Sequence, residues 1–146
     1  MKFFGHPLHM MLIHFPAALF PMECVVYGLL FYTNNHNFGF VSYCILIGGV
    51  GMGWVAAILG ALDMNEISED NEQVMKKALL HGGINGIVVV SYTVIAYQMY
   101  QLFPELPDGN IILMLVRVLL VLLLMVGNFI GGSLVLKDKV GIDLIK

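Results

Sequence analysis

Three histidines fall close together near the start of the chain, in the stretch GHPLHMMLIHFP. They are His6, His9 and His14, and a fourth, His81, lies near the start of a later apolar segment. Imidazole is the commonest protein ligand for metals and a standard axial ligand of haem iron. The chain is 59% hydrophobic and 12% charged, and ionisable residues inside apolar segments mark functional sites. The four histidines therefore predict a cofactor or metal site.

Two cofactor classes fit these residue types. Two histidines from different helices can hold haem b, as helical bundles do. His14 and His81 are the first axial pair expected, because both sit about one turn inside their helices. His6 and His9 are secondary ligands, and four histidines allow a second haem.

A bare metal ion is the other class. Three histidines with Asp63 suit zinc, copper or non-haem iron, and the metal set is then His6, His9, His14, His81 and Asp63. A His–Asp relay for protons is a third option.

Asn85 follows His81 by one helical turn and can form a hydrogen bond with it. A single histidine at such a position is more often an interfacial anchor, and Met10 beside His9 is more often apolar filler than a ligand.

The helical phase of the first segment limits which histidines can share a ligand. At about 100° per residue, His9 and His14 point about 140° apart. Pro16 removes a hydrogen bond to the Leu12 carbonyl and can kink the helix near His14. Pro7 suits the first position of a helix, which places His6 at the cap. The two histidines thus converge through a kink or serve different partners.

Glu23 and Arg117 form a second feature. Both lie deep inside apolar segments and, counted from the same end of the bundle, at matching depth. Lone charges at such a depth cost several kcal/mol, so pairing is expected. We predict a structural ion pair between the first and fourth segments.

Four apolar segments must position all these residues. They cover about 8–33, 39–61, 78–102 and 109–136, each long enough for a hydrocarbon core of about 30 Å. Asn, Gly and Pro separate them, and an acidic linker covers 62–77, part of which has helical propensity. The 146 residues predict one all-α domain, 1–146: an integral membrane four-helix bundle without a cleaved signal peptide. Cys24 and Cys44 are expected to be free, buried thiols.

The loop charges predict an orientation. All six lysines lie on one side, whereas the loops around 33–38 and 103–109 contain no Lys or Arg. The positive-inside rule then places both termini and the 62–77 linker in the cytoplasm of a bacterial-type inner membrane. This brings the histidines and Asp63 to one level near the cytoplasmic face, with His36 in the opposite loop. The net charge of −3 gives no sign of a nucleic-acid partner.

Small residues recur in the same half of the helices. Gly49/Gly53, Gly82/Gly86 and Gly127/Gly131 are small-xxx-small pairs, which allow close packing of membrane helices. They also leave room for a flat cofactor beside the histidines. Further small residues extend these pairs: Ala56, Ala57, Gly60, Gly83 and Gly132.

The segments GHPLHMMLIHFPAALF, GALDMNEI, HGGIN and GNFIGGSLVLKDKVGI resemble the domain-of-unknown-function 2231 family, over about residues 5–142. The opening histidine–proline stretch is the most specific part, and Met10 stands where the family often has proline. The resemblance implies a prokaryotic membrane protein with four helices, sometimes joined to or near redox modules such as Rieske-type iron–sulfur domains. By this resemblance, the positions that correspond to the family's motif are His6, His9, His14, Asp63, His81 and Asn85.

The leading hypothesis is a membrane protein that binds haem b, or otherwise Zn, Cu or Fe, for electron transfer. Its partners are then the lipid bilayer and other membrane redox subunits or further copies of itself. A non-catalytic anchoring subunit without a cofactor is the alternative. A metal or proton transporter is a further possibility, but the chain has only four spans and no visible inverted repeat. An oligomer would have to supply the missing spans. The sequence contains no recognisable set of a nucleophile and a base that would indicate an enzyme.

Overall fold

The computed structural model describes the backbone of residues 2–3, 6–65, 67 and 71–140, and the side chains from residue 8 onward within these ranges. A short antiparallel pair, β1 (Lys2–Phe3) and β2 (His6–Pro7), precedes the helices. The helices are α1 (Leu8–Leu12), α2 (His14–Thr33), α3 (His36–Met64), α4 (Glu72–Leu102) and α5 (Ile111–Leu136). The prediction of an all-α four-helix bundle is confirmed, since the four spans are long and apolar enough to cross a membrane.

α1 and α2 together form the first span, Leu8–Thr33. They are separated at Ile13, three residues before Pro16, whose ring cannot donate to the carbonyl one turn earlier. The break is slight, because Ile13 keeps helical angles (φ −61°, ψ −22°) and its N–H donates to the His9 carbonyl at 3.0 Å. The span covers the predicted residues 8–33, whereas Pro7, predicted as the first helical residue, lies in β2. The helix begins at Leu8, after Pro7, and His6 lies in β2 instead of at the cap.

Asparagine side chains cap the other three spans, as short polar side chains do at helix starts. Asn35 accepts from Asn37 N at 3.0 Å, and Asn71 accepts from Val74 N at 3.4 Å. Asn110 accepts from two backbone N–H groups at the start of α5. α3 and α4 begin before the apolar segments that the sequence delimits, whereas α5 begins at Ile111, just after the predicted start at 109.

Two predicted loop regions are helical. His36, expected in a loop, is the first residue of α3, and its Nε2 lies 3.4 Å from Asp108 Oδ1 at an exposed position. The predicted 62–77 linker is shorter, because α3 continues to Met64 and α4 begins at Glu72. Residues 72–77 are the first turns of α4, supported by an exposed Glu72–Lys76 pair at 2.6 Å.

The spans form a closed ring in which α2 contacts α3 and α5, and α4 contacts the same two helices. α1 packs against α3. We call the end of the bundle near residues 65–71 the linker end, and the end near 34–35 and 103–110 the loop end. Cys24 and Cys44 are both free, but Cys44 is exposed on the outside of the bundle instead of buried.

Most apolar side chains face outward, as expected for helices surrounded by lipid. Phe129, Val25 and Ile87 are 79%, 64% and 61% exposed. Among the described residues, the interior contains two apolar clusters. The larger one fills the middle of the bundle and the loop half, around Phe20, Leu46, Tyr92 and Leu124. The smaller one closes the linker end: Val74, Ala78 and Leu134, with Met64, Ile67 and Val140 packed against them.

Candidate cofactor site

A cavity of about 960 Å³ separates the two apolar clusters in the linker half of the bundle. Phe20, Val89 and Leu124 form its floor, and the smaller cluster lies at its opposite end. This volume is at the upper end of the range for small-molecule and cofactor sites, about 300–1,000 Å³. The polar side chains that line it include most of the residues that the sequence singled out: His9, His14, Asp63, His81 and Asn85.

His9 reaches the cavity from α1 and is held by α3. Its Nδ1 lies 2.9 Å from the carbonyl oxygen of Ala56. Its ring rests on Gly60, one turn further along α3, where an added Cβ would lie 2.8 Å from His9 Cε1. Only glycine leaves space for the imidazole at this distance. The small-xxx-small pair Ala56/Gly60 therefore positions a histidine.

His81 is held by α5 in the same way. Its Nδ1 lies 2.7 Å from the carbonyl oxygen of Gly127. Its ring rests on Gly131, where an added Cβ would lie 2.5 Å from His81 Cε1. As on α3, the carbonyl and the glycine are four residues apart, so both face the ring from one side of the helix.

These contacts decide the tautomer of both rings. A carbonyl oxygen only accepts hydrogen bonds, so the proton of each neutral imidazole must be on Nδ1. Nε2 then carries the unprotonated lone pair, which is the arrangement found in histidine ligands of metals. The His9 and His81 ring centroids are 6.5 Å apart, with an angle of 78° between the ring planes. The structure thus brings together two potential ligand atoms from two different spans.

The two histidines belong to a repeated arrangement. His81 follows His9 by 72 residues, and Tyr92 follows Phe20 by the same number. The Phe20 and Tyr92 rings stack with centroids 4.1 Å apart and planes 7° apart. On the partner helices, Gly127 and Gly131 follow Ala56 and Gly60 by 71 residues. The hairpin α1–α3 and the hairpin α4–α5 therefore each contribute one histidine, supported by one carbonyl and one glycine.

The other predicted ligands have different surroundings. His14 lines the cavity but is exposed, and the ring that contacts His81 is that of His9. Asp63 lines the cavity and interacts electrostatically with His9. The side chain of His6 lies outside the described residues. Met10 lines the cavity as well.

Asn85 contacts His81, as the one-turn spacing predicts. Its Nδ2 lies 3.2 Å from Nδ1 and 3.5 Å from Nε2 of the ring. Because Nδ1 already carries a proton, the amide can donate only to Nε2. Asn85 also packs on Gly127, at a point where a Cβ would collide with the amide oxygen. The amide is therefore placed beside the nitrogen that a cofactor would need.

A charged pair lies at the linker end of the cavity. Lys77 Nζ on α4 donates to both carboxylate oxygens of Asp138, at 2.8 and 3.1 Å. Asp138 and Lys139 follow α5 and line the cavity there. Both signs of charge are thus available where the cavity meets the linker. Among the described side chains, no group of three or more His, Cys, Asp or Glu residues is close enough to hold a metal ion.

Glu23 and Arg117 lie together in the loop half, away from the cavity. Arg117 Nε donates to Glu23 Oε1 at 2.9 Å, and Ser42 Oγ donates to the same oxygen at 2.8 Å. The side chains of Glu23 and Arg117 are 0% and 1% exposed. The structure therefore places the two residues as the sequence predicts.

Further contacts surround the Arg117 guanidinium. Nη1 donates to the Leu113 carbonyl at 3.2 Å, and Nη2 lies 3.7 Å from the Met99 sulfur. The Tyr27 ring lies under the guanidinium, with its centroid 3.6 Å from Cζ, a distance that gives a cation–π interaction. The Tyr27 hydroxyl accepts from Asn110 N at 3.0 Å, next to the start of α5.

Comparison with known proteins identifies the family. The family described as "Predicted membrane protein (DUF2231)" matches residues 5–144. The chain belongs to the DUF2231 family. The matched residues include His9, His81 and the buried Glu23–Arg117 ion pair, and the description of the family agrees with the four apolar spans. No curated protein and no solved structure matches this DUF2231 protein.

Sequence reasoning missed the Ala56 and Gly127 carbonyls, because main-chain acceptors have no letter in a sequence. It also treated Gly60 and Gly131 of this DUF2231 protein as general packing residues. The signal that was available is the repeat: a histidine, and then a small-xxx-small pair about 50 residues later, occur twice with nearly the same spacing.

Proposed function

We propose that this DUF2231 protein binds one haem b between His9 and His81 and takes part in membrane electron transfer. The observation that carries the proposal is the pair of adjacent imidazoles from two spans, each with its Nδ1–H bonded to a helix carbonyl. Carbonyl contacts of this kind orient a histidine and increase its basicity as a ligand. When bound, haem would supply one-electron redox chemistry, and His9 and His81 would be the residues that hold it.

The cavity fits a flat group with two protein ligands. A Cβ added at Gly82, Gly83, Gly86 or Gly132 would meet no other atom within 4 Å, so this part of α4 and α5 leaves open space beside the rings. The floor and walls are largely apolar, as expected for a porphyrin pocket. Lys139, at the linker end, can pair with an anionic group of a ligand.

A bare metal ion is less well supported by the described residues. Structural zinc sites use four protein ligands and catalytic ones three, whereas here the described side chains bring two histidines into contact. Haem needs only two, because the porphyrin supplies four nitrogens. His9 thus replaces His14 as the proposed partner of His81.

We further propose a bacterial inner membrane location with the linker end in the cytoplasm. The six lysines on that side support it through the positive-inside rule. The haem would then lie in the cytoplasmic half of the bilayer, where a redox subunit with an exposed cofactor could exchange electrons with it. We propose a membrane redox component as the partner.

The test is an optical spectrum of the protein purified in detergent from cells supplied with a haem precursor. We expect a Soret band, a reduced-minus-oxidised difference spectrum of a b-type cytochrome, and one iron per chain by elemental analysis. A chain that stays colourless after haem is supplied would contradict the proposal. Stoichiometric zinc or copper without haem would contradict it as well and would instead indicate a bare metal site.

A further inference from the structure

Two polar atoms in the loop half of the bundle have no hydrogen-bond partner within the described part of the chain. They are Glu23 Oε2 and the Tyr92 hydroxyl. Both residues are 0% exposed. Buried polar atoms in native proteins are bonded to protein atoms or to ordered water in the large majority of cases. The pair therefore indicates a bound group outside the histidine cavity.

The two atoms belong to one part of the interior. Phe20 and Glu23 are one helical turn apart on α2 and share a face. Tyr92 on α4 stacks on Phe20 and interacts electrostatically with Glu23. A group that reached both atoms would join α2 to α4.

The charge balance decides what kind of group fits. Glu23 and Arg117 already neutralise each other, so a metal cation would leave an uncompensated positive charge in a low-dielectric interior. An anion would face the carboxylate directly. A neutral molecule that both donates and accepts meets neither penalty: it can donate to the carboxylate oxygen and exchange a hydrogen bond with the hydroxyl.

We infer that Glu23 Oε2 and the Tyr92 hydroxyl hold one internal water molecule. Buried waters typically make about three hydrogen bonds to otherwise unsatisfied polar groups, and this site offers at least two. The water completes a polar node to which each span contributes one side chain: Glu23, Ser42, Tyr92 and Arg117. The Glu23 carboxylate then connects α2 to the other three helices at once.

Radiolytic hydroxyl labelling in isotopically labelled water tests this site, because radicals formed from a bound water modify the side chains beside it. Tyr43 is the internal reference, since it belongs to the same apolar cluster and is 8% exposed, more than Tyr92. We expect several-fold faster labelling of Tyr92 than of Tyr43. A dry site would give the opposite order, which would overturn the inference.

A charge-neutral double variant, Glu23→Met with Arg117→Met, supplies the second arm. It removes the carboxylate without leaving a buried charge unpaired, so the bundle is expected to fold. Tyr92 labelling should fall below that of Tyr43. If Tyr92 labelling is unchanged, its water comes from elsewhere, such as the histidine cavity, and Glu23 does not hold it. Neither arm requires haem, so the result is independent of the cofactor proposal.

Discussion

At the scale of single residues, what distinguishes His9 and His81 is their contact with a helix carbonyl. A histidine near a membrane surface can be satisfied by water and headgroups, but a fixed Nδ1–H leaves a lone pair at a defined position. The sequence shows which histidines are available and that His9 and His14 point in different directions. It does not show which of the two faces α3, because that depends on how the helices pack.

Gly131→Ala tests whether the glycine under the His81 ring positions this ligand. The new methyl group would lie 2.5 Å from His81 Cε1, so the ring must move away from the Gly127 carbonyl. We expect roughly 10–100-fold weaker haem binding, the usual effect of disturbing the groups that orient a metal ligand. Titration of the apoprotein with haem measures this.

Gly51→Ala is the control for that variant, because Gly51 on α3 lies away from the cavity lining and an added Cβ there meets nothing within 4 Å. It should bind haem like the wild type. Equal haem affinities of the two alanine variants would show that the contact between Gly131 and the His81 ring does not matter for haem binding.

At the scale of helices, hydropathy predicts the apolar segments but not the helix ends. The four spans appear where the sequence places them, yet α3 and α4 each extend several residues further. The added first turns of α3 and α4 are polar, and asparagine caps together with the Glu72–Lys76 ion pair stabilise them. The depth match of Glu23 and Arg117 is predictable because rise per residue is fixed at about 1.5 Å. The Ser42, Tyr27 and Met99 contacts depend on tertiary packing and are not.

Glu23→Gln tests the energetic role of the ion pair that connects α2 to α5. Removing one partner of a buried pair leaves an uncompensated charge, which typically costs about 3–5 kcal/mol. We expect a loss of that order in the free energy of unfolding, measured in mixed micelles. Glu105→Gln, at an exposed position in the loop between α4 and α5, serves as the control and should unfold like the wild type.

The Glu23→Met and Arg117→Met double variant should recover most of this loss, because apolar replacements for a buried pair are often close to neutral. If the double variant had a lower free energy of unfolding than Glu23→Gln, the cost in Glu23→Gln would not come from an uncompensated charge, and the expectation would be wrong.

At the scale of the whole molecule, two similar hairpins face each other. Each provides a histidine near the linker end, and the stacked Phe20 and Tyr92 rings lie where the hairpins meet. Both hairpins run in the same direction, so the repeat is parallel and not the inverted kind common in transporters. Such a repeat suits a flat cofactor held from both sides.

The orientation of the molecule can be tested with single cysteines in a cysteine-free background. Lys76→Cys lies at an exposed position near the linker end, and Glu105→Cys lies at the loop end. If lysine-rich segments stay in the cytoplasm, a membrane-impermeant thiol reagent should label the second variant in intact spheroplasts and the first only after lysis. The reverse pattern would place the histidine cavity near the opposite face of the membrane.

The central claim, axial ligation by His9 and His81, is tested most directly by the haem spectra of four alanine variants. His9→Ala and His81→Ala should each lose the six-coordinate low-spin spectrum of the ferric protein. His14→Ala and His36→Ala should keep it, since neither supplies an axial nitrogen. A low-spin spectrum that survives in His9→Ala but disappears in His14→Ala would contradict the pairing.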